Sequence, residues 1–178
     1  MDVKDIMKTG LRTCTPDTTV AEAARLMWEA DCGVLPVVDE GELAGIVTDR
    51  DMYIALATQN ERAATLRVGA VATTAIVTCH PDDEVGHALE SMRRARVRRL
   101  PVVGPGKTLL GMLSISDIIL SLDRDTKVRS DDVLETLKAI CAHPHVGTET
   151  MALTETAQER PPVASRRQRA KPTTRRAR

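Results

Sequence analysis

The chain contains one sequence pattern twice. Residues 13–17 read TCTPD and residues 78–82 read TCHPD, 65 positions later. The motif LPVV recurs at the same spacing, at 35–38 and 100–103, and GIVTDRD at 45–51 returns as GMLSISD at 111–117, 66 positions later. A repeat this short does not bury its apolar face alone, so we expect the two copies to pack together. The seam between them is the expected place for a ligand.

Each copy has the local signals of a mixed helix and strand unit. Thr19 and Glu22 have the spacing of a capping box, and apolar residues then recur at helical spacing. This first helix is predicted to end near Gly33, which we expect to be its left-handed terminator. Two short aliphatic runs predict a hairpin of strands. The predicted elements are strands 34–38 and 43–47 with a helix 49–57, then helix 85–95, strands 99–103 and 109–113, and helix 116–122.

These signals predict a domain organisation with two repeats and a C-terminal extension. The last segment is basic, because residues 160–178 carry eight Lys and Arg side chains and no acidic one. Such a segment buries little apolar surface and is predicted to be disordered. The predicted parts are repeat 1 at 1–58, a linker at 59–67, repeat 2 at 68–123, an extension at 124–147 with a helix at about 131–142, and a disordered basic tail at 148–178.

Composition excludes several classes of function. Apolar residues make up 42% of the chain but aromatic residues only 1%, so a core can form while stacking platforms for single-stranded nucleic acid are nearly absent. The four cysteines show no CxxC spacing, and we expect no metal site. The N-terminus has no apolar signal region and no stretch is long enough to span a membrane, so we expect a cytoplasmic protein without membrane contact.

The motifs together resemble the CBS domain, the family named after cystathionine β-synthase, present here as a tandem pair or Bateman module. The resemblance covers residues 3 to about 122 and rests on VKDIM at 3–7, LPVVD at 35–39, GIVTDRD at 45–51 and VGAV at 68–71. It implies an α/β (α+β) fold of two β-α-β-β-α repeats, packed sheet to sheet around a pseudo-twofold axis. It also implies two clefts that bind adenosine-containing ligands.

Four polar residues follow strands and begin helices at equivalent positions in the two copies. The hydroxyls of Thr48 and Ser114 and the first helical N–H groups are predicted to converge on one point that suits a phosphate. Asp51 and Asp117, one turn later, can accept hydrogen bonds from the two hydroxyls of a ribose. The same residues also fit ordinary helix caps. Their duplication favours ligand binding.

Further candidates surround these positions. Extended segments at residues 11–14 and 76–79 are candidates for the slot that holds a base, so we include the backbone of Thr13, Thr78, Val34 and Arg99. Arg98 and Arg99 lead into a strand at the predicted cleft. We therefore predict that at least one of them meets a ligand phosphate and makes the two clefts unequal in affinity.

The motifs and the family resemblance together imply a non-catalytic sensor that binds an AMP-, ADP- or ATP-like nucleotide and needs no cofactor. The resemblance also implies a homodimer, which we expect to regulate an unidentified protein. Asp49 and Asp51 resemble a carboxylate pair, but their spacing points them apart, so we expect no enzyme and no catalytic residue. The alternative is a structural or interaction protein with degenerate clefts, whose basic tail contacts nucleic acid or an acidic partner.

Overall fold

The computed structural model describes residues 1–122 and 127–142, so the predicted basic tail lies outside the described residues. Three short 3₁₀ turns, at Val3–Asp5, Val68–Ala70 and Pro105–Lys107, accompany the helices and strands. Repeat 1 contributes α1 (Val20–Glu29), β1 (Val34–Asp39), β2 (Glu42–Thr48) and α2 (Asp49–Gln59); repeat 2 contributes α3 (Val85–Ala95), β3 (Arg99–Val103), β4 (Leu109–Ser114) and α4 (Ile115–Ser121); α5 (Ser130–Cys141) follows.

The helices begin and end largely as their sequence signals predict. Thr19 caps α1, since its side chain accepts a hydrogen bond from the backbone N–H of Glu22 at 3.2 Å. The prediction for the end of α1 is wrong in one respect. The left-handed residue is Asp31 with a φ of 47°, and Gly33 has no positive φ. Gly33 instead gives room to Asp49, because a Cβ at this position would lie 2.9 Å from Asp49 Oδ2.

The two repeats build two matching antiparallel hairpins. In repeat 1, β1 pairs with β2 so that Val34 lies opposite Thr48, and in repeat 2, β3 pairs with β4 so that Arg99 lies opposite Ser114. Both hairpins contain an irregularity at the same place, after Val37 and after Val102. The mixed fold of two repeats that the sequence predicts is confirmed.

Two extended segments cross between the repeats. Residues 8–14 bridge to Met112 in β4 at Lys8 and to Val37 in β1 at Cys14. In the same way, residues 73–79 bridge first to β2 of repeat 1 and then to β3 of repeat 2. We call these the crossing segments. Each one passes from the sheet of one repeat to the sheet of the other.

The crossing has a reciprocal effect on the two cores. The turn around Val3 packs into the core of repeat 2, where Val3 N–H donates to Asp83 O, and the turn around Val68 packs into the core of repeat 1, where Val68 N–H donates to Thr18 O. Both valines are completely buried. Each repeat therefore supplies part of the core of the other, which ties the pair into one folding unit.

The face of repeat 2 formed by α3 is covered by α5. Val133 and Thr136 of α5 are buried, and Arg93 of α3 forms an ion pair with Glu135 at 3.2 Å. The α1 face of repeat 1 has no such cover among the described residues, and its Trp28 is 87% exposed. No described helix is long and apolar enough to cross a lipid bilayer.

Candidate functional site

Two cavities lie where the crossing segments pass between the sheets. Cavity A has a volume of about 550 Å³ and cavity B one of about 260 Å³. The lining of cavity A is Lys8, Gly10, Leu11, Arg12, Ala30, Asp31, Cys32, Gly33, Val34, Pro36, Arg99, Met112, Ser114, Ser116 and Asp117. The lining of cavity B is Ile46, Thr48, Asp51, Thr73, Ala75, Ile76, Val77, Ala95, Val97 and Arg99.

The two cavities are built from equivalent parts. Each one combines a crossing segment, a strand-to-helix junction from one repeat and a helix-to-strand junction from the other repeat. Every residue that lines cavity B has its repeat equivalent in the lining of cavity A, at the spacing of 65 or 66 positions. The pseudo-twofold relation of the sequence repeats thus extends to their cavities.

Ser114 and Asp117 meet in cavity A through a capping box. Ser114 N–H donates to Asp117 Oδ2 at 2.9 Å, the Ser114 hydroxyl donates to the same oxygen, and Asp117 N–H donates to Ser114 Oγ at 3.2 Å. Asp117 is only 9% exposed. This network uses Oδ2 and the hydroxyl proton, whereas Oδ1 has no hydrogen bond to any residue in the described part of the chain. Its contact with Lys8 Nζ, at 3.5 Å, is an ion pair longer than an ordinary hydrogen bond, so Oδ1 can still accept from an incoming donor.

Cavity B repeats this arrangement with Thr48 and Asp51. Asp51 Oδ2 accepts from the Thr48 N–H at 3.1 Å and from the Thr48 hydroxyl at 2.7 Å. The helix-cap interpretation of the sequence therefore describes real hydrogen bonds, and the same residues also line the cavities. Because the hydroxyl protons are engaged by the aspartates, neither Thr48 nor Ser114 can donate to a phosphate without breaking its cap.

The other sequence-predicted residues are distributed unevenly. Val34 lines cavity A, and Arg99 lines both cavities. Arg98 is exposed and lines neither of them, while its backbone oxygen accepts from Ile115 N–H at 3.0 Å. Thr13 and Thr78 lie at the ends of the crossing segments and line neither cavity.

Two cationic residues of cavity A were missed by the sequence analysis. Lys8 and Arg12 lie on the first crossing segment, and Lys8 Nζ is 3.5 Å from Asp117 Oδ1. Their repeat equivalents in cavity B are Thr73 and Val77, which carry no charge. The signal available in the sequence was the difference between residues 8–12 and 73–77. Nothing local showed that these residues face the site.

A pair of equivalent glycines lets the crossing segments approach the sheets. A Cβ at Gly111 would lie 2.6 Å from the backbone oxygen of Lys8, and one at Gly45 would lie 3.2 Å from the backbone oxygen of Thr73. Packing against the crossing segment therefore requires glycine at Gly111 and leaves little room for a Cβ at Gly45. It positions the segment that walls the cavity.

Cys14 and Cys79, at equivalent repeat positions, are buried in the cores of repeat 1 and repeat 2. Burial raises the pKa of the Cys14 thiol to about 11. Burial, with a smaller contribution from the negative charge of Asp83, raises the pKa of the Cys79 thiol to about 12. Both thiols are therefore protonated at neutral pH and act as small core side chains. Among residues 1–122 and 127–142, no cluster of three His, Cys, Asp or Glu side chains is arranged to hold a metal ion.

A further cavity of about 290 Å³ lies between α3 and α5. Its charged lining is largely paired internally, with Lys127 Nζ 3.1 Å from Glu84 Oε1 and Arg93 in contact with Glu90. Hydrogen bonding and charge from Lys127 lower the pKa of Glu84 below its ordinary value. This cavity belongs to the packing of the extension on repeat 2, away from the crossing segments.

Comparison with known proteins agrees with this architecture. The CBS domain model matches residues 3–58 and 68–124. The protein YhcV of Bacillus subtilis (strain 168), a CBS domain-containing protein, is 34% identical over 119 residues, which cover 67% of this chain and 84% of YhcV.

Two solved structures share the fold. The CBS domain pair of protein MJ0100, in complex with 5′-methylthioadenosine and S-adenosyl-L-methionine, superposes with a TM-score of 0.61 at 28% identity, covering 69% of this chain and 96% of that one. CBSX2 in complex with AMP has a TM-score of 0.60 at 26% identity, covering 69% and 98%. With two matched domains, two matching hairpins and paired cavities at their seam, the chain belongs to the CBS domain family.

Proposed function

We propose that this protein is a non-catalytic sensor that binds adenosine-containing ligands in cavities A and B. The observation that carries this proposal is the same capping box in both cavities, buried at Asp117 and partly buried at Asp51, in which the cap uses Oδ2 of each aspartate and leaves Oδ1 for a ligand. A carboxylate oxygen in this position accepts hydrogen bonds from the ribose hydroxyls. The adenosine ligands bound by the MJ0100 domain pair and by CBSX2 support the same ligand class.

The volumes of the two cavities favour the binding of a small ligand between the repeats. Cavity A lies within the volume range of about 300–1,000 Å³ that is usual for ligand pockets, and cavity B is slightly smaller. The alternative, an interaction protein with degenerate clefts, would be favoured by aspartates turned outward or by cavities closed by side chains. The basic tail on which that alternative also depends lies outside the described residues.

Catalysis finds little support in the arrangement of the acidic groups. Asp51 lines cavity B, whereas Asp49 is exposed and faces the groove between α1 and α2. The two carboxylates therefore do not act on one substrate, as a general acid and base pair must. We propose that ligand binding alters the angle between the repeats and so regulates another protein.

The experiment that tests ligand binding uses Asp51→Asn and Asp117→Asn. Asparagine keeps one oxygen for the capping box but loses the charge and the second acceptor. A hydrogen bond to a charged group is worth about 1.5–3 kcal/mol, so each substitution is expected to weaken adenosine and AMP binding at its own cavity roughly tenfold to a hundredfold. Isothermal titration calorimetry measures both sites.

The matched control is Asp132→Asn. Asp132 Oδ2 accepts from the Arg129 N–H at 3.2 Å in the capping box of α5, and Asp132 lines neither cavity A nor cavity B. This variant changes an equivalent cap without touching the proposed sites. Unchanged adenosine binding by the Asp51→Asn/Asp117→Asn double variant would show that the ligand does not use these cavities.

The proposed assembly is a homodimer formed through α2 and α4. Tyr53 and Ile54 on α2 occupy the positions equivalent to Ile119 and Leu120 on α4, and all four side chains are exposed, Tyr53 by 74% and Leu120 by 80%. A surface that repeats around a pseudo-twofold axis can match a second copy of itself.

Light scattering is expected to show a dimer for the wild type and a monomer for Tyr53→Glu/Leu120→Glu. The exposed-surface control Leu110→Glu should remain dimeric, and a dimeric double variant would refute this interface.

A further inference from the structure

Resting on the proposed adenosine binding, we propose that the two cavities divide the ligands by charge. Cavity A takes an adenosine phosphate, with Lys8 and Arg12 holding the phosphate groups, and cavity B takes an adenosine ligand without phosphates. The assignment follows from a difference between two otherwise equivalent linings.

The first observation is the charge of the crossing segments. Cavity A is lined by three basic side chains, Lys8, Arg12 and Arg99, and by two acidic ones, Asp31 and Asp117. Cavity B is lined by one of each kind, and its crossing segment contributes only uncharged residues. Since Arg99 lines both cavities, it does not distinguish them. The difference comes from the first crossing segment.

The second observation is that Lys8 and Arg12 in cavity A keep N–H donors that are available to a ligand. Lys8 Nζ lies 3.5 Å from Asp117 Oδ1, but its side chain is 73% exposed and its ammonium has three donors. In the described part of the chain, Arg12 has no carboxylate within 4.0 Å, so its guanidinium is not neutralised by the protein. A guanidinium matches the geometry of phosphate oxygens and binds them bidentately.

The third observation is size. Cavity A is about twice as large as cavity B, at about 550 Å³ against about 260 Å³. A phosphate chain adds volume and negative charge together, and cavity A has room and countercharge for both. In cavity B, the equivalents of Lys8 and Arg12 are Thr73 and Val77, and Val77 offers an apolar surface that disfavours phosphate.

The capping box of Ser114 and Asp117 limits which residues of cavity A can donate a hydrogen bond to a phosphate. The hydroxyl proton of Ser114 is donated to Asp117 Oδ2, so it is not available to a phosphate. The remaining charged donors of the lining are Lys8, Arg12 and Arg99. Phosphate recognition therefore falls to Lys8 and Arg12 of the crossing segment together with Arg99 of β3, while Asp117 remains for the ribose.

The experiment exchanges the two linings in the full chain. In Lys8→Thr/Arg12→Val, cavity A receives the residues of cavity B, and in Thr73→Lys/Val77→Arg, cavity B receives those of cavity A. Adenosine and ATP are titrated by calorimetry, and the ratio of their affinities is compared. Thermal unfolding without ligand checks that each variant is folded.

We expect the wild type to hold one ATP with at least about tenfold preference over adenosine, since each contact to a charged group contributes about that factor. The preference should disappear in Lys8→Thr/Arg12→Val, and Thr73→Lys/Val77→Arg should bind a second ATP.

Cys32 lines cavity A and its equivalent in cavity B is Val97, so ATP should slow alkylation of Cys32 in the wild type. Mass spectrometry measures this protection.

A control separates local contacts from net charge. Lys138→Thr/Arg62→Val removes the same two charges from exposed positions outside both cavities, and it should keep the ATP preference. The inference is overturned if the wild type binds adenosine and ATP equally, or if this control loses the preference as fully as Lys8→Thr/Arg12→Val. Either result leaves adenosine binding itself intact. Failure of the wild type to bind any adenine ligand would instead overturn the proposed function.

Discussion

Repeat 1 and repeat 2 have the same order of helices and strands but differ in what covers their first helices, α1 and α3. Trp28 on α1 is exposed, whereas its equivalent on α3, Arg93, pairs with Glu135 of α5. The completely buried Leu35 and Leu100, by contrast, are identical at equivalent positions. The two copies therefore keep the residues that build the sheets and differ at positions that face solvent, α5 or a ligand. In such a molecule, a difference between equivalent positions indicates a difference in surroundings.

The largest expected effect concerns the glycines that face the crossing segments. Gly111→Ala should lower the free energy of unfolding by about 1–3 kcal/mol, because the new Cβ meets the Lys8 backbone oxygen at 2.6 Å and overpacks the contact. Gly45→Ala should cost less, since the equivalent distance to Thr73 is 3.2 Å. Denaturant unfolding measures both variants. Equal losses would show that the two crossings are packed alike.

A smaller effect is expected from the cover of repeat 2. Val133→Ala removes two buried carbon groups from the packing of α5 on α3 and should cost about 1.5 kcal/mol at roughly 0.8 kcal/mol for each group. Its neighbour Leu134 is half exposed, so Leu134→Ala is the matched control and should change stability little. A loss of stability in the control equal to that in Val133→Ala would mean that α5 uses its other face.

The smallest effect is the pH dependence of the unfolding free energy that comes from Cys14 and Cys79, the two buried thiols at equivalent repeat positions. Both thiols have a pKa raised from the ordinary value of 9.0, to about 11 for Cys14 and about 12 for Cys79. Above pH 9 the unfolded thiol ionises while the folded one stays protonated, so the unfolding free energy falls as pH rises toward those values. Cys14→Ala and Cys79→Ala should each show a shallower decline between pH 9 and 10.5.

The control for this titration is Val37→Ala. Val37 is buried beside Cys14 in the same sheet but has no titrating group. This variant should be less stable at every pH while keeping the slope of the wild type. A wild-type slope in both cysteine variants would contradict the raised pKa values.

Much of the local structure could be predicted because its signals are local. The predicted helix at 85–95 and strand at 99–103 coincide with α3 and β3, since helical periodicity, aliphatic runs and turn residues act over a few neighbours. The role given to Gly33 was wrong for a physical reason. Asp31 adopts the left-handed conformation at the end of α1, and glycine is needed two residues later to clear the Asp49 carboxylate. That contact joins residues 16 positions apart and leaves no periodic signal.

The candidate site was predictable only in part. Thr48, Asp51, Ser114 and Asp117 belong to a repeated motif, and they do line the two cavities. The repeated motif did not predict a role for Lys8 and Arg12, because they reach cavity A through the first crossing segment, which lies outside that motif. The structure brings Lys8 next to Asp117 across more than a hundred residues of chain.

The sequence by itself determined that there are two equivalent units, because duplicated caps, apolar runs and turns dictate the same local elements wherever they occur. Only the tertiary structure decided how the units share their parts. The exchange of Val3 and Val68 between cores, and the walls of both cavities, depend on contacts between segments far apart in the chain. Such contacts form because they bury apolar surface that neither repeat can bury alone, and no local pattern specifies which distant partner will do so.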